Sequence, residues 1–335
     1  MRVAAIDCGT NSIRLLIADA AESTPEDEAA TPVLTEVLRR TEVVRLGQGV
    51  DRTGRLDPAA LERTLGMCRE YAQQCREHGV PAGRVRFVAT SASRDASNAD
   101  EFVAGVREAF GDLDVAPEVV TGAEEAALSF AGATAGLADA GFDGPYLVAD
   151  IGGGSTEIVR GIHEVVAGTS LDIGSVRLTE RHHRTDPPTQ EVVDAARFDI
   201  AEALDVAEAE VGLGGVATVV GLAGSVTTVA ALALELTSYD PAAIHLARIP
   251  IDDMMVACER LILSTRAERA AQPFMHPGRV DVIGAGALIW WEILERARGA
   301  NGPDLVVTVS ERDILDGIAR SVVRPVVADD EAASA

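Results

Sequence analysis

Two short glycine-containing turns carry the residue types from which a phosphate-binding site can be built. The first is Asp7-Cys8-Gly9-Thr10-Asn11-Ser12, and the second is Asp150-Ile151-Gly152-Gly153-Gly154-Ser155-Thr156. Glycine lets the backbone approach a ligand closely and lets successive N–H groups point at one spot. The hydroxyls of Ser12, Ser155 and Thr156 add hydrogen-bond donors. Each turn therefore predicts a small concave surface that suits phosphate oxygens.

The two turns are related by an internal repeat. A shift of 143 positions superposes 6–12 on 149–155, and the Asp, the first Gly and the Ser of the two turns then coincide. A strand-like apolar run precedes and follows both turns, so the similarity extends beyond the motif. One such turn alone is more often an ordinary hairpin, but two in register favour a duplicated domain. Two similar lobes predict a cleft between them.

Acidic residues beside both turns indicate a divalent cation. Asp7 and Asp150 stand where a carboxylate would repel phosphate, and a cation between the two groups removes that conflict. Mg²⁺ is the expected ion. Glu157 follows Asp150 by seven residues, so both side chains can reach the mouth of one hairpin. A position on the strand surface explains Glu157 equally well.

Around the turns, strands and helices alternate in the manner of an α/β protein. Apolar runs predict strands at 3–7, 13–18, 33–46, 84–90, 115–121, 146–151 and 305–309, with a further strand after the second glycine turn through 160. Helical signals lie at 57–79, 98–111, 123–135, 189–211, 225–236, 251–265 and 279–298. Ser310 to Asp313 matches a capping box and predicts the start of a closing helix. A third glycine junction, 221–225, could attract an anion at a helix start, although a close helix–strand crossing explains it as well.

Composition excludes several other classes of protein. The 335 residues suffice for two domains, and 29 basic against 53 acidic residues give a net charge of −24, which disfavours nucleic acid and anionic membranes as partners. Every basic residue is Arg, so P-loop ATPases and enzymes with a Schiff-base lysine are excluded. No apolar run reaches the ~18 residues of a membrane span, and the first residues lack a signal-peptide core. Together with four cysteines that show no metal spacing, this predicts a cytoplasmic protein.

Six motifs occur in a fixed order along the chain: AIDCGTNSIRLLI, FVATSASRDASN, VVTGAEEAALSFAGA, VADIGGGSTEIV, VGLAGSVTTVAAL and HPGRVDVIGAGALI. In this combination the chain strongly resembles the exopolyphosphatase and guanosine pentaphosphate phosphatase (Ppx/GppA) family, in its short form. The resemblance implies the fold of actin, sugar kinases and Hsp70, with two RNase H-like lobes. We expect 1–122 with 308–326 to form the first lobe, 123–307 the second, and 327–335 a frayed tail.

The resemblance also implies roles for individual residues. Glu125, within Gly122-Ala123-Glu124-Glu125-Ala126, corresponds to the base that activates the attacking water, and Asp150 and Glu157 correspond to acids that hold Mg²⁺ or another divalent cation. Arg94 corresponds to a substrate-binding arginine. By themselves, Glu124 and Glu125 could simply complement the helix dipole, and Arg94 could be a surface residue. The implied substrate-binding set is Gly9, Thr10, Asn11, Ser12, Arg94, Gly153, Gly154, Ser155 and Thr156.

Further positive charge in the cleft is expected from Arg14, Arg45, Arg177 or Arg279, whereas His182 and His183 are expected in an exposed loop without a role. The resulting hypothesis is a Mg²⁺-dependent exopolyphosphatase in which water attacks directly, without a phosphoenzyme. The alternatives are a guanosine pentaphosphate phosphohydrolase, a sensor of nucleotide or polyphosphate that does not hydrolyse it, and a sugar kinase. A homodimer is expected because members of the family often form one.

Overall fold

The strands of the chain form two five-stranded sheets. The structure, a computed structural model, describes residues 1–21, 32–182 and 185–323. The first sheet contains β1 (Arg2–Cys8), β2 (Ser12–Ala20), β3 (Leu34–Val43), β4 (Val85–Ala89) and β5 (Glu118–Val119). The second sheet contains β6 (Tyr146–Ile151), β7 (Thr156–Gly161), β8 (Val165–Leu171), β9 (Thr218–Leu222) and β10 (Val306–Val309).

Both sheets have the same topology. Their strand orders are β3-β2-β1-β4-β5 and β8-β7-β6-β9-β10. In each sheet the first three strands of the chain pair antiparallel and the last two pair parallel. The predicted duplication of an α/β unit is confirmed, and each sheet with the helices beside it is called a lobe below.

The helices fall into three groups. Beside the first sheet lie α1 (Val50–Thr53), α2 (Pro58–Glu77), α3 (Ser91–Asp95) and α4 (Ala99–Phe110). Beside the second lie α6 (Ser175–His182), α7 (Gln190–Glu210), α8 (Ala223–Ala233), α9 (Pro241–Ile244), α10 (Ile251–Leu263), α11 (Arg266–Ala270) and α12 (Ile283–Asn301). The third group, α5 (Gly122–Thr134) and α13 (Ile314–Val323), connects the two lobes.

The two connecting helices exchange between the lobes. α5 follows β5 of the first sheet, yet its Phe130 packs in one apolar cluster with Val148 and Val159 of the second sheet. α13 follows β10 of the second sheet, yet its Ile318 packs with Val3 of the first. Each sheet therefore buries one face against the last helix of the other lobe, and this exchange brings the loops before α5 and α13 to the cleft.

Local signals explain several helix boundaries. The Asp57 carboxylate accepts hydrogen bonds from the N–H groups of Ala59 and Ala60, and Pro58 occupies the first helical position of α2. At the other end of the chain, α12 begins at Ile283 and not at 279, because residues 277–279 form a separate 3-10 turn.

Three predicted boundaries are wrong. β10 pairs with β9 through Val309, so 308 and 309 belong to the second sheet and the predicted lobe boundary at 308 is two residues early. The strand predicted over 115–121 is only Glu118–Val119, since Pro117 cannot donate to a ladder. α13 starts after Asp313, whose carboxylate accepts from the Leu315 N–H, whereas the Ser310 hydroxyl accepts from the Arg312 N–H.

The predicted frayed tail at 327–335 lies outside the described residues, as does most of the acidic loop expected between 19 and 32. Within the described ranges, no helix combines the length and the apolar character that a bilayer crossing needs.

Candidate active site

The two glycine turns meet across one cleft. The Gly9 N–H donates to the Ser12 carbonyl at 3.0 Å, and in the repeat the Gly152 N–H donates to the Ser155 carbonyl at 3.0 Å. A Cβ on Gly154 would lie 2.5 Å from the hydroxyl oxygens of both Thr10 and Ser91, so only glycine allows this approach. The predicted residues that line the cleft are Gly9, Thr10, Asn11, Ser12, Glu125, Asp150, Gly153, Ser155 and Glu157.

The strand pairs behind the two turns have diverged in charge. In the first lobe Asp7 lies opposite Arg14, and in the second Asp150 lies opposite Glu157. The first pair is neutral, with Arg14 Nη2 2.6 Å from Asp7 Oδ2, whereas the second places two carboxylates side by side. Like charges directly opposite on a sheet repel each other. The two lobes therefore differ in charge at the same position of the hairpin, and the acidic pair lies in the second lobe.

Asp7 belongs to a buried ion-pair network. Its carboxylate accepts from Arg14, and Arg14 also pairs with Asp313 at the start of α13. Burial raises the pKa of Asp7, while the charge and hydrogen bond of Arg14 oppose that rise. A cation between Asp7 and phosphate stays a prediction, and Arg14 already supplies a counter-charge to this carboxylate.

Glu125 is a buried carboxylate in the wall of the cleft. It lies in the first turn of α5, which Thr121 caps by accepting from the Glu124 N–H at 3.2 Å. Arg94 Nη1 donates to Glu125 Oε2 at 3.0 Å. Burial raises the pKa of Glu125 to about 7, Arg94 opposes the rise, and the charges of Asp7 and Asp150 add to it. A carboxylate with a pKa near neutrality can accept a proton efficiently at that pH.

Its neighbour Glu124 points elsewhere. The Glu124 side chain is 44% exposed and pairs with Arg86 at 2.7 Å on the surface of α5. The two adjacent acids, which the sequence alone leaves equivalent, are thus separated by the helix: Glu125 faces the cleft and Glu124 faces solvent.

Asp150 and Glu157 each accept a hydrogen bond from a serine. Ser129 Oγ donates to Asp150 Oδ2 at 2.6 Å, and Ser170 Oγ donates to Glu157 Oε1 at 2.7 Å. Burial, together with the charge of Asp313, raises the pKa of Asp150 to about 6. Burial, and then the charges of Glu125 and Asp150, raise the pKa of Glu157 well above its usual value. The charge of Arg14 opposes the rise in the pKa of Asp150 but does not cancel it.

Such a donor set fits Mg²⁺. Among residues 1–21, 32–182 and 185–323, no three His, Cys, Asp or Glu side chains converge on one metal position. Mg²⁺ in phosphate-handling sites usually takes only one or two carboxylates and fills its other positions with water and phosphate oxygens. The buried carboxyl pair of Asp150 and Glu157, with its raised pKa values, matches that requirement.

Three residues of the predicted set do not line the cleft. Thr156 is fully buried and its hydroxyl donates to the Ile173 carbonyl at 2.7 Å, so it offers nothing to a ligand. Gly154 faces a small separate cavity behind the turns. Arg94 donates hydrogen bonds to the Glu125 carboxylate and to the Val120 carbonyl.

The arginines are distributed differently from the expectation. Arg14, Arg39 and Arg279 line the cleft. Arg45 instead pairs with Asp281, and Arg177 pairs with Asp51 and Asp95, in both cases across the two lobes. The sequence did not predict Arg39 in the cleft, because no motif marks its strand.

His182 ends α6 and hydrogen-bonds Asp199 at 2.8 Å, contrary to the expected exposed loop, and His183 lies outside the described residues.

Several further cleft residues carry no signal that spacing could reveal. The glycine junction at 221–225, which looked weak alone, contributes Ala223, Gly224 and Ser225 to the lining. Tyr239 and Glu311 come from different elements and meet there, with the phenol donating to the carboxylate at 2.6 Å. Only the fold joins such residues.

Removal of the Arg94 charge should shift the pH dependence of catalysis. A base works only when ionised, so kcat/KM falls as the pH drops through the pKa of Glu125. Since Arg94 lowers that pKa, Arg94→Met should move the acid limb of the profile upward by about one pH unit or more. The measurement is kcat/KM against pH at fixed Mg²⁺. Arg94→Lys, which keeps a positive charge, should move the acid limb less. Equal profiles in the unmodified protein and both variants would contradict the effect of Arg94 on the pKa of Glu125.

Comparison with known proteins gives consistent results. The family model described as Ppx/GppA phosphatase matches residues 25–300. A relative from Mycobacterium tuberculosis named "Exopolyphosphatase 2" is 53% identical over 323 residues, which cover 96% of this chain and 98% of the relative. A solved Ppx/GppA structure from Aquifex aeolicus is 32% identical with a TM-score of 0.75, over 96% of this chain and 97% of that one. An exopolyphosphatase structure from Cytophaga hutchinsonii is 25% identical with a TM-score of 0.81, over 96% and 98% of the two chains.

Proposed function

The chain belongs to the Ppx/GppA phosphatase family, and from that membership and the geometry of its cleft we propose that it is an exopolyphosphatase. The enzyme is a phosphoanhydride hydrolase that releases the terminal phosphate of inorganic polyphosphate. The observation that carries the proposal is the meeting of two glycine turns beside a buried carboxylate, Glu125, whose pKa is raised to about 7.

In the proposed reaction a water molecule attacks the terminal phosphorus directly. The Glu125 carboxylate takes one proton of that water as the new P–O bond forms. The bond between the terminal phosphorus and its bridging oxygen breaks, and that oxygen keeps the electron pair and stays on the shortened chain. Glu125 then releases its proton to the product or to solvent. Orthophosphate leaves, and the remaining chain is shorter by one unit. Arg94 holds Oε2 of Glu125 at 3.0 Å and so orients the carboxylate toward the water. No residue of the chain becomes phosphorylated.

Phosphate binding falls to the backbone and to the cleft arginines. The N–H groups and hydroxyls of the two turns face oxygens from both sides. Arg279 extends the positive lining beyond the turns, whereas Arg39, which also lines the cleft, already pairs with Glu36 and Asp316. We assign Asp150 and Glu157 as the residues that would hold Mg²⁺, which when bound supplies positive charge to the phosphate oxygens.

Guanosine pentaphosphate remains the second candidate substrate. This nucleotide requires a pocket for its guanine ring, and Tyr239 is the aromatic side chain that lines the described cleft. That ring already carries the Arg279 guanidinium 5.9 Å from its centroid, and its phenol is bonded to Glu311 and Thr227. A guanine ring bound there would have to displace these partners, and this favours polyphosphate as the substrate. Retention of Glu125, Asp150 and Glu157 together disfavours a sensor without activity, and no sugar-binding signature supports a kinase.

The test is phosphate release from polyphosphate, guanosine pentaphosphate and ATP, each with and without Mg²⁺. We expect fast release from polyphosphate that depends on the ion, and slow release from ATP. A faster rate with guanosine pentaphosphate than with polyphosphate would make the nucleotide the first candidate substrate and polyphosphate the second. Release from none of them would support the sensor.

We also propose a location and an assembly for the protein. All four cysteines are free and buried, which suits a reducing compartment, and we propose a cytoplasmic location. A homodimer is proposed from the family resemblance alone, and light scattering of the purified protein tests it.

A further inference from the structure

The side chain of Arg177 joins the second glycine turn to the opposite lobe. Its Nε donates to the Gly154 carbonyl at 2.7 Å, and its Nη1 donates to Asp51 Oδ1 at 2.8 Å. Its Nη2 pairs with Asp95. Gly154 belongs to the second lobe, whereas Asp51 and Asp95 belong to α1 and α3 of the first. One guanidinium, only 11% exposed, thus uses its Nε within the second lobe and both of its Nη nitrogens across the lobe boundary.

Two neighbours of Arg177 on α6 strengthen the same connection. Arg181 donates to both oxygens of Asp51, at 2.7 and 2.8 Å. The Glu180 carboxylate accepts from the Gly49 N–H at 3.0 and 3.1 Å, at the start of α1. We call these contacts of Arg177, Glu180 and Arg181 with 49–51 and Asp95 the α6 latch.

The first turn of α6 is bonded directly to the second glycine turn. The N–H groups of Val176 and Arg177 donate to the Gly153 carbonyl at 2.8 and 3.1 Å, and the Ser175 N–H donates to the Gly152 carbonyl at 3.0 Å. α6 and the turn must therefore move together. Any force that holds α6 against the first lobe also holds the second turn against Thr10 and Ser91.

The latch lies outside the substrate cleft. Arg177, Asp51 and Asp95 line a small cavity on the far side of Thr10 and Gly154, whereas none of the three lines the main cleft. The guanidinium and the two carboxylates neutralise one another in ion pairs, so Arg177 is not available to bind phosphate. A role in catalysis must act through the position of the turn.

We propose that Arg177 is a positioning residue that couples closure of the two lobes to the geometry of the second phosphate turn, with Asp51 and Asp95 as its receptors. The inference rests on the proposed function insofar as the turn binds substrate phosphate. When the latch is formed, both turns face the same phosphate groups. When the latch opens, the second turn moves away with α6. Part of the free energy of substrate binding is then used to close the lobes, so the apparent affinity for substrate is weaker.

The kinetic test uses Arg177→Ala with long-chain polyphosphate. We expect KM to rise about 10-fold or more while kcat falls less than about 3-fold, because the closed complex, once formed, has the same Glu125 geometry. Asp51→Asn and Asp95→Asn should act in the same direction. Combined with Arg177→Ala, Asp95→Asn should add little, since both changes remove the same ion pair, whereas Asp51→Asn should add an effect because Asp51 also accepts from Arg181.

A matched control exists within the second lobe. Arg298 also pairs with two carboxylates, Asp252 and Glu295, but all three lie in that lobe. Arg298→Ala should leave KM unchanged. A KM for Arg177→Ala that matches the control would overturn the proposal.

A distance measurement tests closure without relying on activity. Glu62 in α2 and Asp205 in α7 are 72% and 71% exposed, and Glu62→Cys with Asp205→Cys allows spin labels to be attached to the two lobes. The four native cysteines are buried and should not react. Arg177→Ala should lengthen or broaden the distance between the labels by pulsed electron resonance, and Arg298→Ala should not.

The two readouts separate the two proposals. An unchanged distance distribution in Arg177→Ala overturns the latch, whatever KM does. If the unmodified enzyme releases no phosphate from polyphosphate, the proposed function fails, while the distance measurement still decides the latch.

Discussion

Glu125→Gln lowers the rate of phosphate release from polyphosphate at least about 100-fold, the scale expected when a general base is lost. Glutamine keeps the size and the hydrogen-bond acceptor of the side chain, so the contact with Arg94 can persist. It cannot take a proton from water at neutral pH. The loss should therefore appear in kcat, with KM nearly unchanged, in steady-state assays at saturating Mg²⁺.

The control for this variant is the adjacent residue. Glu124→Gln changes the same functional group one position earlier in α5, but its side chain faces solvent and pairs with Arg86. Surface pairs of this kind contribute little, so both activity and thermal stability should be close to those of the unmodified protein. If Glu125→Gln and Glu124→Gln have equal rates, Glu125 is not the base.

Asp150→Asn shifts the Mg²⁺ concentration required for half-maximal activity upward by at least about 10-fold. Asparagine still accepts the hydrogen bond that Ser129 donates, but it removes the charge that attracts the ion. At the Mg²⁺ concentration that half-saturates the unmodified enzyme, most activity should be lost. The measurement is a titration of phosphate release against Mg²⁺ at constant ionic strength.

Stability distinguishes a lost metal ligand from a damaged fold. The raised pKa of Asp150 means that its ionised form is unfavourable in the folded protein, so a neutral asparagine should not lower the melting temperature in the absence of Mg²⁺. Asp205→Asn, at an exposed position of the same lobe, is the control for the Mg²⁺ titration. A normal Mg²⁺ titration in Asp150→Asn would mean that other residues hold the ion.

The internal repeat could be recognised in the sequence because residues close together in the chain determine a β-hairpin. In the structure the last strand pairs before the turns are Cys8 with Ile13 and Ile151 with Thr156, and they obey the same shift that aligns the motifs. Alternation of apolar residues and turn chemistry act over fewer than about ten residues, so the sequence alone reveals them. The α/β class, the duplication and the cleft all follow from that local information.

Three acids that the motifs single out come together in the fold. Glu125, Asp150 and Glu157 line one cleft with the two turns. Their protonation, in contrast, depends on burial and on one another, and neither is visible in the spacing of residues. The different fates of Glu124 and Glu125 likewise depend on which face of α5 packs inward.

Only the tertiary structure decided which charges are neutralised. Asp7 and Asp150 are equivalent by repeat, yet Arg14 and Asp313 enclose the first in an ion-pair network and leave the second facing Glu157. The partners Arg14 and Asp313 are separated by 299 positions and meet because α13 crosses to the first lobe. Local pattern determined where the phosphate turns and the strands lie. The exchange of α5 and α13 brought Glu125 and Asp313 to the charges of these two hairpins, because electrostatic partners are set by distance in space.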